Sequence, residues 1–149
     1  MITFSFYLLA GFAGMEIISY LVHRYLFHGL LWPLHQTHHR PGESLFEWND
    51  LFSLVFAGLS IYLMFIGSES ILTSWEFPVG TGIALYGLLY FIIHDLYTHR
   101  RFIPISSDSR FMQLIKRAHQ NHHQSVDKEG CEPYGLFLFP YRDYKDRIR

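Results

Sequence analysis

The sequence has a single cysteine, Cys131, among its 149 residues, which excludes both a disulfide framework and a cysteine-based metal motif. It also lacks a sustained basic tract: 12 Lys and Arg residues stand against 13 Asp and Glu residues, for a formal net charge of −1. Nucleic acid is therefore not an expected partner. The glycines form neither a dinucleotide-binding fingerprint nor a P-loop, and no Ser/His/Asp arrangement is apparent. Any redox chemistry would thus need electrons from another protein.

Hydrophobic residues make up 50% of the chain and are concentrated at residues 3–22, 51–67 and 79–93. A transmembrane helix needs about 20 apolar residues, with a range of about 17 to 25. The first block has this length, and the second lies at the lower limit. The third reaches it only if its helix continues through His94 toward His99. Buried helices of a soluble protein are the alternative, but they should show a polar face every 3.6 residues, whereas these blocks are apolar all round.

These blocks predict an all-α fold, an integral membrane helical bundle of three spans that forms one domain over residues 1–149. A fourth span or a re-entrant segment after Arg101 is left open. All basic residues fall at Arg24 or later, and residues 67–80 contain none. By the positive-inside rule, residues 67–80 lie outside, so the N-terminus is outside and the C-terminus is in the cytoplasm.

Ten histidines are the most unusual feature of the composition, since they nearly equal the lysines and arginines together. They form an HxxxxH pair followed by an HxxHH triplet, and this arrangement occurs twice. No histidine lies outside the pattern. The first copy consists of His23, His28, His35, His38 and His39, and the second of His94, His99, His119, His122 and His123.

The spacing of the histidines favours metal binding. Residues three and four apart share one helix face, so each HxxHH triplet should direct three imidazoles toward one point. The five-residue step of HxxxxH rotates a regular helix by about 140°, which separates its two rings. Either the helix changes course before the second histidine, or the two histidines serve different metals.

Two apolar spans separate the two copies, so both copies reach the same cytoplasmic face and can build one site. Ten imidazoles exceed the needs of one ion, which predicts two metal ions. Imidazole suits iron, zinc, copper and nickel, so the ligand type does not identify the metal. A structural zinc site is closed by four ligands, and a redox pair fits this larger set better.

The chain resembles the bacterial-type β-carotene 3-hydroxylases, within the fatty acid hydroxylase and sterol desaturase superfamily of membrane non-haem di-iron oxygenases. The histidine motifs are shared across that superfamily, and the narrower resemblance depends on the segments around them. These segments are Met15-Glu16, the six-residue gap between His28 and His35, Phe46-Glu47-Trp48-Asn49-Asp50, His94-Asp95, and Cys131-Glu132-Pro133-Tyr134-Gly135-Leu136-Phe137. Gly130 and Glu132-Pro133 depart from the family pattern around the cysteine.

The resemblance implies two ferrous ions held by the ten histidines, O₂ as co-substrate and two electrons from an external, ferredoxin-like donor. The implied reaction hydroxylates C3 of the β-ionone ring and converts β-carotene through β-cryptoxanthin to zeaxanthin. A C40 polyene dissolves in the bilayer, so the substrate and the enzyme share the membrane lipids. The short chain without a transit peptide is expected of a bacterial member, in the inner (cytoplasmic) membrane with its active site on the cytoplasmic side.

Two acidic residues are candidates for roles in catalysis. Glu16 is the only charge within the first span and lies two helical turns before His23, which predicts a polar contact near the substrate channel; a protonated, packed glutamate is the alternative. Asp95 is expected to accept a hydrogen bond from the second ring N–H of a metal-bound histidine. Further candidates for that role are Asn49, Asp50 and Asn121.

Residues 108–123 alternate apolar with basic side chains, which predicts an amphipathic helix on the cytoplasmic interface that carries the last histidine triplet. Two other functions compete with carotenoid hydroxylation. One is a related lipid oxygenase acting on fatty acyl chains or sterols, and the other is a membrane metal transporter or storage protein. A transport path would place ionisable residues near the bilayer midplane, whereas these histidines lie at span ends.

Overall fold

A computed structural model describes residues 2–40 and 46–145, with side chains to Tyr144. Its elements are helices, and the described residues contain no β-strand, in agreement with the predicted all-α class. The helices are α1 (Ile2–Leu21), which continues as a π-helical segment π1 (Val22–Leu30), α2 (Trp32–His35), α3 (Asp50–Ile66), a 3₁₀ turn (Ser68–Ser70), α4 (Glu76–Tyr90), which continues as a second π-helical segment π2 (Phe91–Thr98), α5 (Arg110–Gln124) and α6 (Tyr141–Lys145).

Helix α4 lies at the centre and packs against α1 on one side and α3 on the other. Small residues permit this close approach. A Cβ added at Gly82 would lie 2.2 Å from the carbonyl oxygen of Leu8, and one at Gly80 would lie 2.8 Å from the carbonyl oxygen of Ser60. The Ser60 hydroxyl donates to the Gly80 carbonyl over 2.8 Å, which fastens α3 to α4 where the backbones meet.

Two helices are long and apolar enough to cross a membrane, Ile2–Leu30, which is kinked at Gly29, and Glu76–Thr98. The third apolar block therefore extends past His94, as it must if it is to span. Asp50–Ile66 is apolar but shorter. Several of its large apolar side chains contact no other part of the bundle over most of their surface: Leu54, Ile61 and Phe65 are 69%, 68% and 75% exposed. Because large apolar side chains cover its outer surface, this bundle is built to face lipid rather than water.

Helix α5 is amphipathic, as its sequence predicted. Its apolar face contributes Ile115 to one small core cluster and Leu114 and Ala118 to a second, and both clusters include residues of the C-terminal segment. Past Arg101, the described residues contain no further helix of spanning length. The predicted single domain over residues 1–149 stays a prediction.

Candidate metal centre

The two HxxxxH pairs lie on the π-helical segments, and this local geometry brings their rings together. In a π turn the hydrogen bond runs between residues five apart, so those residues share one face. The His99 N–H donates to the His94 carbonyl over 2.9 Å, and the rings of these residues have centroids 4.5 Å apart. The His23 and His28 ring centroids are 5.2 Å apart. Two alternatives were predicted: a helix that changes course before the second histidine, or two histidines that serve different metals. The structure shows the first, as a change from α-helical to π-helical geometry.

The imidazoles form two adjacent groups, which we call site A and site B. Five histidines form site A, and four histidines form the centre of site B. In each of these two sets, every histidine offers one ring nitrogen that lies within 4.8 Å of the ring nitrogens offered by the others. Site A consists of His23, His28, His35, His39 and His122. Site B consists of His38, His99, His119 and His123, joined by His94, whose Nε2 is 3.1 Å from the Nε2 of His38.

Each half of the chain gives one histidine to the other half's site. The prediction that each HxxHH triplet converges on one point is therefore wrong. The first and last histidines of a triplet, four residues apart, share a site, whereas the middle one lies in the other site. His38 thus crosses from the first half to site B, and His122 crosses from the second half to site A. All ten predicted ligands nevertheless lie in this one cluster.

The hydrogen bonds of the rings show what the sites can hold. In four close pairs, both Nδ1 atoms face an oxygen acceptor and so carry the proton, which leaves an Nε2 lone pair on each ring. Those Nε2 atoms point at each other over 3.0 to 3.2 Å. The pairs are His23 with His35, His28 with His122, His35 with His39, and His38 with His94.

Facing lone pairs repel one another unless a cation lies between them. Two nitrogens bound at about 2.1 Å and at a right angle to each other lie about 3.0 Å apart, close to the spacing in these pairs. The Nε2 atom of His123 is buried without a hydrogen-bond partner among the described residues, as expected of a nitrogen that serves a metal. The donor set therefore fits two metal ions.

Burial keeps the imidazoles outside the helical spans neutral, which a metal ligand requires. Desolvation lowers the pKa of His35 to about 3 and that of His39 to about 4. It also lowers the pKa of His122 to about 3 and that of His99 to about 2. Because the lowered pKa values of His35, His39 and His122 favour neutral rings at neutral pH, a proton shared between facing nitrogens does not account for the three close pairs of site A.

Some of the side chains predicted to accept a hydrogen bond from the second ring nitrogen of a histidine do lie beside one. The Nδ1 atom of His35 donates to the side-chain oxygen of Asn49 over 3.0 Å. Asp95 lies beside His94, with 3.4 Å between His94 Nδ1 and Asp95 Oδ1. Asp50 pairs with Arg101 instead of a histidine, and Asn121 contacts Cys131 and Tyr144.

Sequence reasoning missed Glu47, which accepts the Nδ1 proton of His38 over 2.6 Å. It also missed Arg101, whose guanidinium donates to Asp50 over 2.7 Å and to Asp95 over 2.7 Å. Glu47 belongs to the segment that carries the family resemblance, and Arg101 lies two residues after His99. Charged residues so close to the ligands were the available signal.

The loop after α5 supplies most of the acceptors of site A. Backbone carbonyls of Ser125, Lys128, Cys131 and Tyr134 accept the Nδ1 protons of four histidines, which are His39, His28, His122 and His23 in that order. Gly130 lies in this loop with φ +60°, and a Cβ there would lie 2.5 Å from Nδ1 of His28. Glycine is therefore required where the sequence departs from the family pattern.

The buried side chain of Glu16 on α1 forms hydrogen bonds to both α4 and the C-terminal segment. One carboxylate oxygen accepts the backbone N–H groups of Phe137 and Leu138 over 2.8 and 2.7 Å, and the other accepts the Tyr86 hydroxyl over 2.8 Å. Tyr86 lines the cavity described next, whereas Glu16 does not. Glu16 thus contacts a residue of the cavity lining, and its predicted place near the substrate channel and its role in turnover stay predictions.

An apolar cavity of about 460 Å³ lies between α1, α3 and α4, and its lining includes residues that contact the clustered histidines. Its walls are chiefly aliphatic and aromatic, and Asn49 and Asp95 supply polar groups. Two lining rings stack on ligand rings: Phe27 on His35, with centroids 4.9 Å apart, and Tyr90 on His94, with centroids 4.4 Å apart. The lining of the cavity therefore contacts a histidine of site A and a histidine of site B.

Helices with apolar outer surfaces and two groups of clustered imidazoles are typical of a helical membrane protein that could hold metal ions. The chain belongs to the fatty acid hydroxylase family, whose model matches residues 8–145. No solved structure matches the chain at a significant level.

Named relatives narrow the comparison. The chain is 40% identical to a β-carotene hydroxylase of Pantoea ananas over 85% of this chain and 72% of that protein. It is 37% identical to a β-carotene hydroxylase of Pseudescherichia vulneris over 91% of this chain and 77% of that protein. It is also 40% identical to β-carotene 3-hydroxylase 1 of Arabidopsis thaliana over 85% of this chain but 41% of that longer protein. The predicted resemblance is therefore confirmed.

Proposed function

We propose that the protein hydroxylates carbon 3 of the carotenoid β-ring and converts β-carotene through β-cryptoxanthin to zeaxanthin. The observation that carries this proposal is the apolar cavity among membrane-type helices, whose lining residues Phe27 and Tyr90 stack on a histidine of site A and a histidine of site B. Its volume lies in the range of small-molecule sites, about 300 to 1,000 Å³. It suits one end of a long apolar substrate whose remainder stays in lipid.

The ten histidines would hold two iron ions, as the facing Nε2 atoms and the buried Nε2 of His123 support. Bound iron supplies O₂ activation: with two electrons from a ferredoxin-like donor and two protons, one oxygen atom enters the C3–H bond and the other leaves as water. The residues of the chain orient the substrate for that step. Phe27 and Tyr90 offer flat surfaces for a ring end, and the apolar walls exclude water from the reacting carbon.

The proposed topology has three crossings, made by α1 with π1, by α3, and by α4 with π2. Basic residues are lacking between α3 and α4, which supports an outer location for that connection and a cytoplasmic one for the histidines. Both HxxxxH pairs lie at the same ends of their helices, as this topology requires. The membrane we propose is a bacterial inner membrane.

Pigment analysis in a bacterial host that accumulates β-carotene tests the proposal. Wild-type protein should produce zeaxanthin, and His99→Ala should not. Ala57→Trp places a large ring in the cavity that Ala57 lines and should abolish most product. Ala10→Trp is the matched control, because Ala10 is exposed on α1 and does not line the cavity.

Two outcomes would contradict the proposal. Unchanged β-carotene beside newly hydroxylated fatty acids or sterols would assign the chain to the related lipid hydroxylases. Equal zeaxanthin from Ala57→Trp and Ala10→Trp would show that the substrate does not enter the cavity.

A further inference from the structure

The two halves of the chain occupy corresponding positions around the two sites, so their histidines can be compared pairwise. His23 in site A corresponds to His94 in site B, because each opens an HxxxxH pair. His122 in site A corresponds to His38 in site B, because each is the middle histidine of its triplet and crosses to the other half's site. Equivalent ligands in equivalent places should behave alike unless their surroundings differ.

The surroundings do differ, in the oxygen that accepts the Nδ1 proton. In site A every acceptor is uncharged: His23 and His122 donate to the carbonyls of Tyr134 and Cys131. The other three acceptors there are the carbonyls of Lys128 and Ser125 and the amide oxygen of Asn49.

In site B the two corresponding histidines face carboxylates. His38 Nδ1 donates to Glu47 over 2.6 Å, and His94 Nδ1 lies 3.4 Å from Asp95. A charged acceptor makes a hydrogen bond roughly twice as strong as a neutral one. In both matched pairs, therefore, the histidine of site B has the charged acceptor and the histidine of site A has the neutral one.

Arg101 holds these carboxylates in place. Its guanidinium donates to Asp95 over 2.7 Å and to both oxygens of Asp50 over 2.9 and 2.7 Å, and its Nε lies 4.0 Å from Glu47. Three carboxylates around one guanidinium leave an excess of negative charge beside site B. That excess favours a divalent cation there.

We propose that the two metal positions are unequal, with site B binding its ion more tightly than site A because Glu47 and Asp95, positioned by Arg101, increase the basicity of His38 and His94. This inference rests on the proposed di-metal function and deepens it. A carboxylate behind a ligating imidazole draws on the ring proton and makes the opposite nitrogen a better donor. Loss of such a partner typically costs 10- to 100-fold in metal affinity.

Anaerobic titration of the metal-free, detergent-purified protein with ⁵⁷Fe(II) tests the proposal, with Mössbauer spectra recorded at one and two equivalents. Wild-type protein should bind in two steps that differ in affinity by about 10- to 100-fold, the size of the effect of one such partner. One quadrupole doublet should appear at one equivalent, and a second, different doublet at two. Two equal steps with both doublets present from the start would overturn the proposal.

Matched variants test whether the difference in metal affinity between the two sites comes from the acceptors of the histidine Nδ1 protons. Glu47→Gln keeps the shape and removes the charge, so it should weaken the tighter step by about 10- to 100-fold and leave the other step unchanged. Asn49→Asp places a carboxylate behind His35 of site A and should tighten the weaker step. Glu69→Gln changes an exposed glutamate in the connection between α3 and α4 and should alter neither step.

Equal weakening of both steps by Glu47→Gln would refute the assignment. Circular dichroism checks that each variant keeps its helices, and if Glu47→Gln fails to fold, Asn49→Asp alone decides. None of these measurements needs a carotenoid. Unequal steps without zeaxanthin formation would therefore refute the proposed function alone, and zeaxanthin formation with equal steps would refute this inference alone.

Discussion

Truncation of Glu16 tests whether this buried carboxylate fixes the segment that covers the metal centre. Its oxygens accept the backbone N–H groups of Phe137 and Leu138 and the hydroxyl of Tyr86. In Glu16→Ala the two N–H groups lose their acceptor. The buried Tyr86 hydroxyl also loses its acceptor, at a cost of about 1 to 3 kcal/mol, and each of the two part-buried N–H groups costs about 0.5 to 1.5 kcal/mol, so the free energy of unfolding should fall by about 2 to 6 kcal/mol.

Glu16→Gln separates charge from shape. The amide oxygen can still accept the two backbone N–H groups, but the bonds become neutral and roughly half as strong. We expect a loss of about 1 to 2 kcal/mol, which is smaller than that of the alanine variant. The assay is denaturant titration in detergent micelles followed by circular dichroism.

The same variants report on the metal site. Tyr134, whose carbonyl accepts the Nδ1 proton of His23, lies three residues before Phe137, so release of this segment should also lower the iron content of Glu16→Ala. Glu69→Ala, at an exposed position, is the control and should stay within about 0.5 kcal/mol of wild type. Equal stability of Glu16→Ala and Glu69→Ala would refute the reasoning. Full turnover and iron content in Glu16→Gln would exclude a functional role for the charge.

Three further predictions follow from the packing and from the ligand set. Gly82→Ala brings a methyl group within 2.2 Å of the Leu8 carbonyl and should cost about 1 to 3 kcal/mol of stability; Gly87→Ala, with open space around it, should not, and equal melting temperatures would contradict the close approach. His122→Ala should lose the ion of site A despite lying in the second half of the chain, as measured by elemental analysis, whereas the exposed control Gln120→Ala should retain both ions. A chelator should lower the melting temperature, since an ion at 100 times its dissociation constant stabilises by about 2.7 kcal/mol, and ferrous ion should restore it; an unchanged melting temperature would argue against bound metal.

The sequence carried enough information to predict the helices and the clustering of the ten histidines. Apolar blocks are a property of side chains and can be read directly, and so can the doubled histidine pattern. The assignment of ligands to sites could not be read in the same way. A regular helix separates His23 from His28, and only the switch to π geometry brings them together.

The hydrogen-bond acceptors of the histidines likewise include some that the sequence could predict and some that it could not. Asn49 and Asp95 were predicted because their side chains are typical hydrogen-bond acceptors. Four acceptors of site A are backbone carbonyls, which every residue type possesses, so no sequence signal marks them. Glu47 could have been predicted from its chemistry, but its proximity to His38 depends on how the chain returns before α3.

The crossing of His38 and His122 has a mechanical consequence. With both ions bound, each ion is a cross-link between the two halves of the chain, joining residues as distant as His28 and His122, 94 positions apart. Cross-links that close long loops restrict the unfolded chain most. In the proposed metal-bound protein, neither half could separate from the other without breaking metal–nitrogen bonds, so the ions proposed for catalysis would also hold the histidine end of the bundle together.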